Sequence, residues 1–343
     1  MLELFLKKPN ELELRDADSL RSPVGDEVKI KVMYGGICGS DLGVFQGKLN
    51  HAKYPLRPGH ELVGVVIEAG SSAAYQIGTR VVILPNTYCG KCVPCRRGET
   101  NICEKKESLG VTVDGGFSQE FLISTRYVMD IPDDLPDERA VIIEPFAVVV
   151  HAFKKVNITK ETSVCVVGCG NEGMLAAALA YHLGGRVTAI DINPNKLELI
   201  SKVGEIRAAL PEDLDNETFD VVFEAAGTKS SVEQAVHLVR PGGALVVIGL
   251  AKEANLPVAH VVRNELTLYG TIIYNFPADY RETIEYLRDP TFNGASIVSK
   301  ILPFTKYKEA FESALSGDFG KIVLDFNNIE IVDGGQEEST AIK

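Results

Sequence analysis

From residue 27 onward, the first part of the chain consists of short runs in which β-branched residues alternate with polar ones or cluster between Gly, Pro and Asp. Residues 27 to 34, 62 to 68, 79 to 84 and 119 to 131 share this character, which predicts strands. Many short strands separated by turn residues predict a small β-barrel or sandwich. Near residue 145 the pattern changes. Residues 164 to 167 form a short apolar run, a glycine-rich loop follows, and residues 174 to 183 have helical character. Residues 187 to 190 predict a second strand, after which Asn193 and Pro194 supply an N-cap and a first-turn proline. Strand and helix go on alternating through 219 to 226, 231 to 239, 244 to 250 and 266 to 273, the pattern of an α/β doubly wound parallel sheet.

Pro277 is expected to open a further helix with Tyr280, Ile284 and Leu287 on one side. Thr305 is expected to cap another, with Tyr307, Phe311, Ala314 and Leu315 inward and Gly317 at its end. Residues 321 to 326 predict a last strand that returns to the first domain. Residues 327 to 343 are polar and acidic, and partial disorder is expected there.

A chain of 343 residues exceeds the usual span of one hydrophobic core, so two domains are expected. The sequence has no run of about 18 uncharged apolar residues, and its first residues show no secretory cleavage pattern; a cytoplasmic, non-membrane protein is expected. The formal net charge of -12 argues against a nucleic-acid partner. Arg96-Arg97 and Lys105-Lys106 are the nearest approach to a basic cluster, and such short pairs read as solvated loop.

Those pairs flank a cysteine cluster. Of the seven cysteines, Cys89, Cys92 and Cys95 are each separated by two residues and Cys103 follows after seven more, with Gly90, Pro94 and Gly98 supplying turns. An odd total, with four of the seven crowded into one loop, fits metal binding in a reducing compartment better than a disulfide framework. Four thiolates on such a loop can converge tetrahedrally on one zinc. A closed site of this kind has no position for substrate, so its expected role is structural.

The glycine-rich loop, Gly168-Cys169-Gly170-Asn171-Glu172-Gly173, fits G-x-G-x-x-G between a predicted strand and a predicted helix. Glycines there permit a tight turn and let backbone N–H groups approach a pyrophosphate at the helix N-terminus. Asp191, at the end of the next strand, is spaced to accept hydrogen bonds from an adenosine ribose, and its charge repels a 2′-phosphate. The predicted cofactor is NAD. Cys169 and Cys165 read as small buried residues.

Cys38 and His60 are weak signals when taken singly, because lone buried cysteines and histidines are common. However, Cys38-Gly39-Ser40-Asp41, Gly59-His60-Glu61, the four-cysteine loop and Glu144-Pro145, in this order, resemble the zinc-containing medium-chain dehydrogenase family over residues 1 to 326. The resemblance implies a GroES-like β-barrel catalytic domain, residues 1–145 and 276–343, with a structural-zinc lobe at about 86–105. It implies a Rossmann domain at 146–275. By the same resemblance Cys38 and His60 ligate a catalytic zinc, and Glu61 and Glu144 complete or border the site; which glutamate binds the metal directly is left open. Two zinc ions per subunit follow, one catalytic and one structural. A glutamate at 144, where the alcohol-dehydrogenase branch carries a cysteine, points to the sorbitol, butanediol and sugar-alcohol branch.

Zinc as a Lewis acid favours ionisation of a bound alcohol, whose carbon then surrenders a hydride. Asp41 is the candidate acceptor for a hydrogen bond from His60, fixing its tautomer, and Ser40 is placed by the resemblance to pass the substrate proton outward. Gly43 departs from many relatives, which have histidine there, so the outer part of their proton relay is missing; His51 reads as an ordinary loop histidine, and water remains as the path. The expected reaction is NAD-linked oxidation of a secondary alcohol of a polyol or vicinal diol, or its reverse. A galactitol-1-phosphate type of sugar-alcohol phosphate and an L-threonine 3-dehydrogenase-like substrate are the alternatives within the family, and a catalytically silent crystallin-like protein is the alternative outside catalysis. The apolar edge around residues 266 to 273 predicts a homodimer or homotetramer.

Overall fold

The computed structural model describes residues 1–328, and the expectation for 329–343 lies outside the described residues. The chain divides into two compact units. One comprises Met1–Glu144, Val298–Gly317 and the chain from Lys321 on; the other comprises Pro145–Ile297 and Asp318–Gly320.

In the first unit, a central sheet runs in the order Val298–Pro303, Lys321–Asp325, Glu27–Ile37, Glu61–Ala69, Arg80–Ile83 and Val128–Asp130, with Glu120–Ser124 also paired to Glu27–Ile37. Val28, Ile30 and Val32 alternate inward, each essentially without exposure, as a half-buried strand requires. Glu27–Ile37 is longer than the predicted run because it has two partners in succession. Its first half pairs with Glu120–Ser124, and its second half pairs with Lys321–Asp325. On the other side Gly36 lies opposite Glu61, while Ile37 lies opposite Ile322. This register brings three strand ends from distant parts of the sequence to one place.

The predicted strand at 119 to 131 is two strands, separated by a 3-10 turn at Thr125–Tyr127 in which the Ser124 hydroxyl accepts from the Arg126 N–H. An antiparallel hairpin, Leu2–Lys8 with Glu11–Asp16, precedes the sheet and was not among the expected elements.

The second unit contains a parallel sheet of six strands among the described residues, in the order Arg207–Ala209, Arg186–Ile190, Ser163–Val167, Phe219–Glu224, Val239–Val247 and Thr267–Gly270. Cys165, Ile190, Val222 and Leu245 are fully buried within one core cluster. Burial on both faces is why these strands read as continuous apolar runs rather than as alternating ones. The sequence order reverses between Ser163–Val167 and Phe219–Glu224, the switch point at which such sheets bind ligands beyond their carboxyl ends.

Helix Ala278–Arg288 belongs to the second unit, whereas the expectation returned the chain to the first domain at residue 276. Asp279 explains the placement: it is buried and accepts from Lys154 at 2.5 Å, and it lies 2.9 Å from His151 Nδ1. Tyr280, Ile284 and Leu287 face inward as expected. The next helix, Tyr307–Ser316, starts after a 3-10 turn at Phe304–Lys306. Thr305 is inside that turn and Lys306 takes the cap position, so the expected threonine cap does not form. Tyr307 and Phe311 are buried together with Ala310 and Ser313, while Ala314 and Leu315 are only half-buried. No helix among the described residues is long and apolar enough to cross a membrane.

Candidate active site and metal centres

Cys38 follows the last residue of strand Glu27–Ile37 and caps the helix Gly39–Phe45. His60 precedes Glu61, the first residue of the neighbouring strand. Donor atoms of Cys38, His60 and Glu61 all lie within 4.8 Å of one another. Asp41, fully buried, ties together the two turns that carry Cys38 and His60. One carboxylate oxygen accepts from the Cys38 N–H at 2.9 Å and the other from the Gly59 N–H at 3.1 Å.

The Asp41 carboxylate also lies 3.2 Å from His60 Nδ1, within ion-pair reach. That contact is poorly aligned, and Nδ1 is left as a buried nitrogen without a hydrogen-bond partner among the described residues. Burial disfavours the imidazolium, but Asp41 and then Cys38 outweigh it and hold His60 well above the usual imidazole range. Surroundings that favour positive charge on this ring suit a metal cation equally. The Ser40 hydroxyl is 3.3 Å from His60 Nε2, beside the donor set.

Glu61 is fully buried, and both its oxygens accept from Lys321 Nζ, at 2.6 and 2.7 Å. The lysine, also fully buried, comes from the start of the last strand. A Cβ on Gly36 would stand 2.0 Å from a Glu61 oxygen, so the opposing strand must be bare at that residue. Glu144, buried in the first turn of helix Ile143–Phe153, lies outside the three-donor group. Gly43 faces Leu49 at 3.2 Å from where its Cβ would be, and His51 is exposed. Lys321 escaped the sequence reasoning. Its only signal was a lysine at the head of a buried apolar strand, a position more often given to a surface cation.

The second donor set is the loop of Cys89, Cys92, Cys95 and Cys103, whose sulfurs lie within 4.8 Å of one another. Backbone N–H groups point at the sulfurs: Lys91 and Cys92 donate to Cys89 Sγ at 3.4 and 3.3 Å, and Cys89 and Lys105 donate to Cys103 Sγ at 3.3 and 3.4 Å. The Lys91 and Cys92 N–H groups pull the Cys89 thiol down to about 6 and those of Cys95 and Glu104 lower Cys92, whereas burial and the adjacent Cys92 push Cys95 up to about 12. Four thiolates this close repel one another unless a cation lies between them, and the converging N–H groups favour the ionised form a metal needs. Arg126 lies over the Tyr88 ring at 4.2 Å, at the root of this loop.

In the second unit, the glycine loop joins strand Ser163–Val167 to helix Asn171–His182. A Cβ on Gly173 would stand 1.8 Å from the Gly168 carbonyl oxygen, and one on Gly168, at φ +93°, would stand 2.7 Å from Ala226. A Cβ on Gly170 would meet nothing within 4 Å. The first and last glycines therefore serve close packing, and the middle one leaves open backbone at the helix N-terminus, the cradle a pyrophosphate requires. Asn171 and Glu172 form the first turn of that helix.

Asp191 accepts from the Cys169 N–H at 2.6 Å and from the Asn193 N–H at 2.8 Å, so its carboxylate is fixed beside the loop. Lys196 was not singled out from the sequence. Burial lowers its ammonium, Asp191 opposes that shift, and its Nζ donates to the Phe319 carbonyl. Cys165 and Cys169 are buried, with both thiols pushed up by burial.

A family model described as the alcohol dehydrogenase GroES-like domain matches residues 25–133, and one described as zinc-binding dehydrogenase matches residues 173–289. The chain is 32% identical over 308 residues to a sorbitol dehydrogenase of Bacillus subtilis strain 168, covering 84% of this chain and 87% of that protein. Its structure resembles that of a short chain alcohol dehydrogenase from Escherichia coli CFT073 in complex with NADH, with a TM-score of 0.87, 26% identity, and coverage of 95% and 99% of the two chains. It also resembles galactitol-1-phosphate dehydrogenase from Escherichia coli, with a TM-score of 0.86, 26% identity, and coverage of 95% and 100%.

Proposed function

The chain belongs to the zinc-containing medium-chain dehydrogenase family, and on that premise we propose that it oxidises a secondary alcohol of a polyol or vicinal diol with NAD, or runs the reverse reduction. The observation that carries this reading is the donor set of one thiol, one imidazole and one carboxylate at Cys38, His60 and Glu61. The similarity to a sorbitol dehydrogenase supports the polyol. When bound, zinc supplies a Lewis acid for the substrate oxygen, and the nicotinamide supplies the hydride acceptor.

The rest falls to the chain's own residues. Cys38, His60 and Glu61 would hold the catalytic zinc, with Glu144 bordering it. Asp41 fixes the two turns through the Cys38 and Gly59 N–H groups and places a negative charge beside His60. Lys321 offsets the charge of Glu61, leaving the donor set less negative than its carboxylate and thiolate alone would make it. Ser40 is placed to accept the substrate hydroxyl proton and pass it outward through water, since Gly43 offers no group for a further step. Cys89, Cys92, Cys95 and Cys103 would hold a second zinc as a structural clasp. Gly168, Gly170, Asn171, Glu172 and Gly173 would receive the pyrophosphate of NAD, and Asp191 the adenosine ribose.

A sugar-alcohol phosphate is the second reading, supported by the likeness to galactitol-1-phosphate dehydrogenase. We also propose a cytoplasmic homo-oligomer. Zinc-binding thiols suit a reducing compartment, and the edge strand Thr267–Gly270 is accompanied by the exposed Leu250, Val258 and Val262. The deciding assay offers the zinc-loaded protein a panel of free polyols, their phosphates and vicinal diols with NAD. Turnover of free polyols supports the first reading, and turnover confined to phosphates supports the second. Oxidation of none of them refutes both, and a monomeric mass by light scattering refutes the oligomer.

A further inference from the structure

Glu224 is the last residue of strand Phe219–Glu224, adjacent in the sheet to Val167 on one side and Val247 on the other. It is a fully buried carboxylate. Three donors converge on its Oε1: the Ala226 N–H at 3.0 Å, the Gly227 N–H at 2.8 Å and the Ser231 hydroxyl at 2.6 Å. Its backbone carbonyl accepts from the Ile248 and Gly249 N–H groups at 2.8 and 3.0 Å. One residue thus joins the turn after its own strand, the turn after Val239–Val247 and the start of helix Lys229–His237.

Its Oε2 has no hydrogen-bond partner among the described residues, and a Cβ on Gly249 would stand 2.6 Å from it. A buried carboxylate is costly, and one with an unmatched oxygen more so. Stability alone is a poor reason to keep it. What it secures is the path of residues 225 to 227. Ala225 donates to the Val167 carbonyl at 2.8 Å, and Ala226 packs where a Cβ on Gly168 would have to go. The turn braced by Glu224 therefore forms the far wall of the glycine loop.

Strand order reverses between Ser163–Val167 and Phe219–Glu224. A dinucleotide that lays its adenosine toward Asp191 and its pyrophosphate on the glycine loop extends its other nucleotide over the ends of Phe219–Glu224 and Val239–Val247. Those are the ends that Glu224 ties together. We propose that Glu224 is a positioning residue for the nicotinamide half of the cofactor site, holding the turns at 225 to 227 and 248 to 249 in the shape that the nicotinamide nucleotide meets. The inference rests on the dinucleotide reading of the glycine loop.

Titration calorimetry of the full-length, zinc-loaded protein with NADH and, separately, with ADP tests it. ADP carries the adenosine and pyrophosphate without the nicotinamide half. Glu224→Ala should raise the Kd for NADH by roughly ten- to a hundredfold, the equivalent of one or two hydrogen bonds to a charged group, while ADP binds as in the parent. Glu224→Gln keeps an acceptor but not the charge, and should raise the NADH Kd by about three- to tenfold with ADP again unchanged; it decides the matter should the alanine variant not fold. Unchanged NADH binding in Glu224→Gln, or equal weakening of ADP and NADH, overturns the assignment. A parent protein that binds neither ligand overturns the dinucleotide reading, and the inference with it.

Discussion

Replacing Lys321 by methionine should destabilise the first unit far more than a surface lysine would. Lys321 and Glu61 are both without solvent exposure and meet through two contacts of 2.6 and 2.7 Å. In protein freed of zinc, removing one member of such a pair leaves the other as an uncompensated charge in a medium that solvates it poorly, at a cost of about 3–5 kcal/mol. Against a total of about 5–15 kcal/mol for a domain, that is a large share. A shift of roughly 6–20 °C in the midpoint of thermal unfolding corresponds to it. The chain has no tryptophan and 11 tyrosines, so far-ultraviolet circular dichroism is the practical probe, followed in urea and in heat. The double variant Lys321→Met/Glu61→Gln closes a mutant cycle: with the stranded charge gone, it should recover to within about 1 kcal/mol of the parent. A loss below about 1 kcal/mol in Lys321→Met, or a double variant as unstable as the single one, would refute the argument that the pair is held by charge rather than by packing.

Cys92→Ser should reduce bound zinc by about one ion per chain, measured by metal analysis after gel filtration, and leave NADH binding intact; unchanged zinc content would remove the loop from the metal sites. Asp191→Asn should lower the ratio of kcat/KM with NAD to that with NADP by about tenfold or more, as expected for losing hydrogen bonds to a charged group together with the repulsion of a 2′-phosphate; an unchanged ratio sinks the ribose assignment. Asp220 is half-buried, which alone would raise its pKa, but bonds from Ser163 and then Arg240 outweigh this and hold it at about 2. Its contribution is thus complete above the ordinary aspartate range near pH 4 and is lost as pH falls toward about 2. Asp220→Asn should flatten that acid limb by no more than about 1 kcal/mol, since the Arg240 partner is open to water; urea midpoints at pH 2, 3, 4 and 6 check it, and an unaltered limb counts against the linkage.

The parallel sheet was legible because its strands are buried on both faces and separated by glycine loops and N-caps. Residues 164 to 167 and 187 to 190 match Ser163–Val167 and Arg186–Ile190 closely. Helix Ile143–Phe153 was not, and the reason is physical: it is buried almost all round, so it lacks the polar face that gives a helix its period, and its run of valines imitates a strand. The hairpin at Leu2–Lys8 and Glu11–Asp16 was hidden by its charged residues. At the site, the four cysteines announced themselves through spacing, and Cys38 and His60 only through the family resemblance. Lys321 and Glu224 did not. Each acts through partners that only the fold supplies; Lys321 is 260 residues from Glu61 in sequence, and Glu224 reads locally as the end of an apolar strand.

Asp41 spans two turns that carry Cys38 and His60, using donors from the backbone beside each. Because those bonds are made within the protein, the spacing of the two candidate donors is set on folding, and much of the ordering entropy that a mobile pair would lose on binding an ion has already been lost. The cysteine loop is organised by N–H groups within its own short span instead. The two centres should therefore differ in exchange: the first refilling at the pace at which an ion sheds its water and diffuses in, the second at the pace at which a loop can rewind around it.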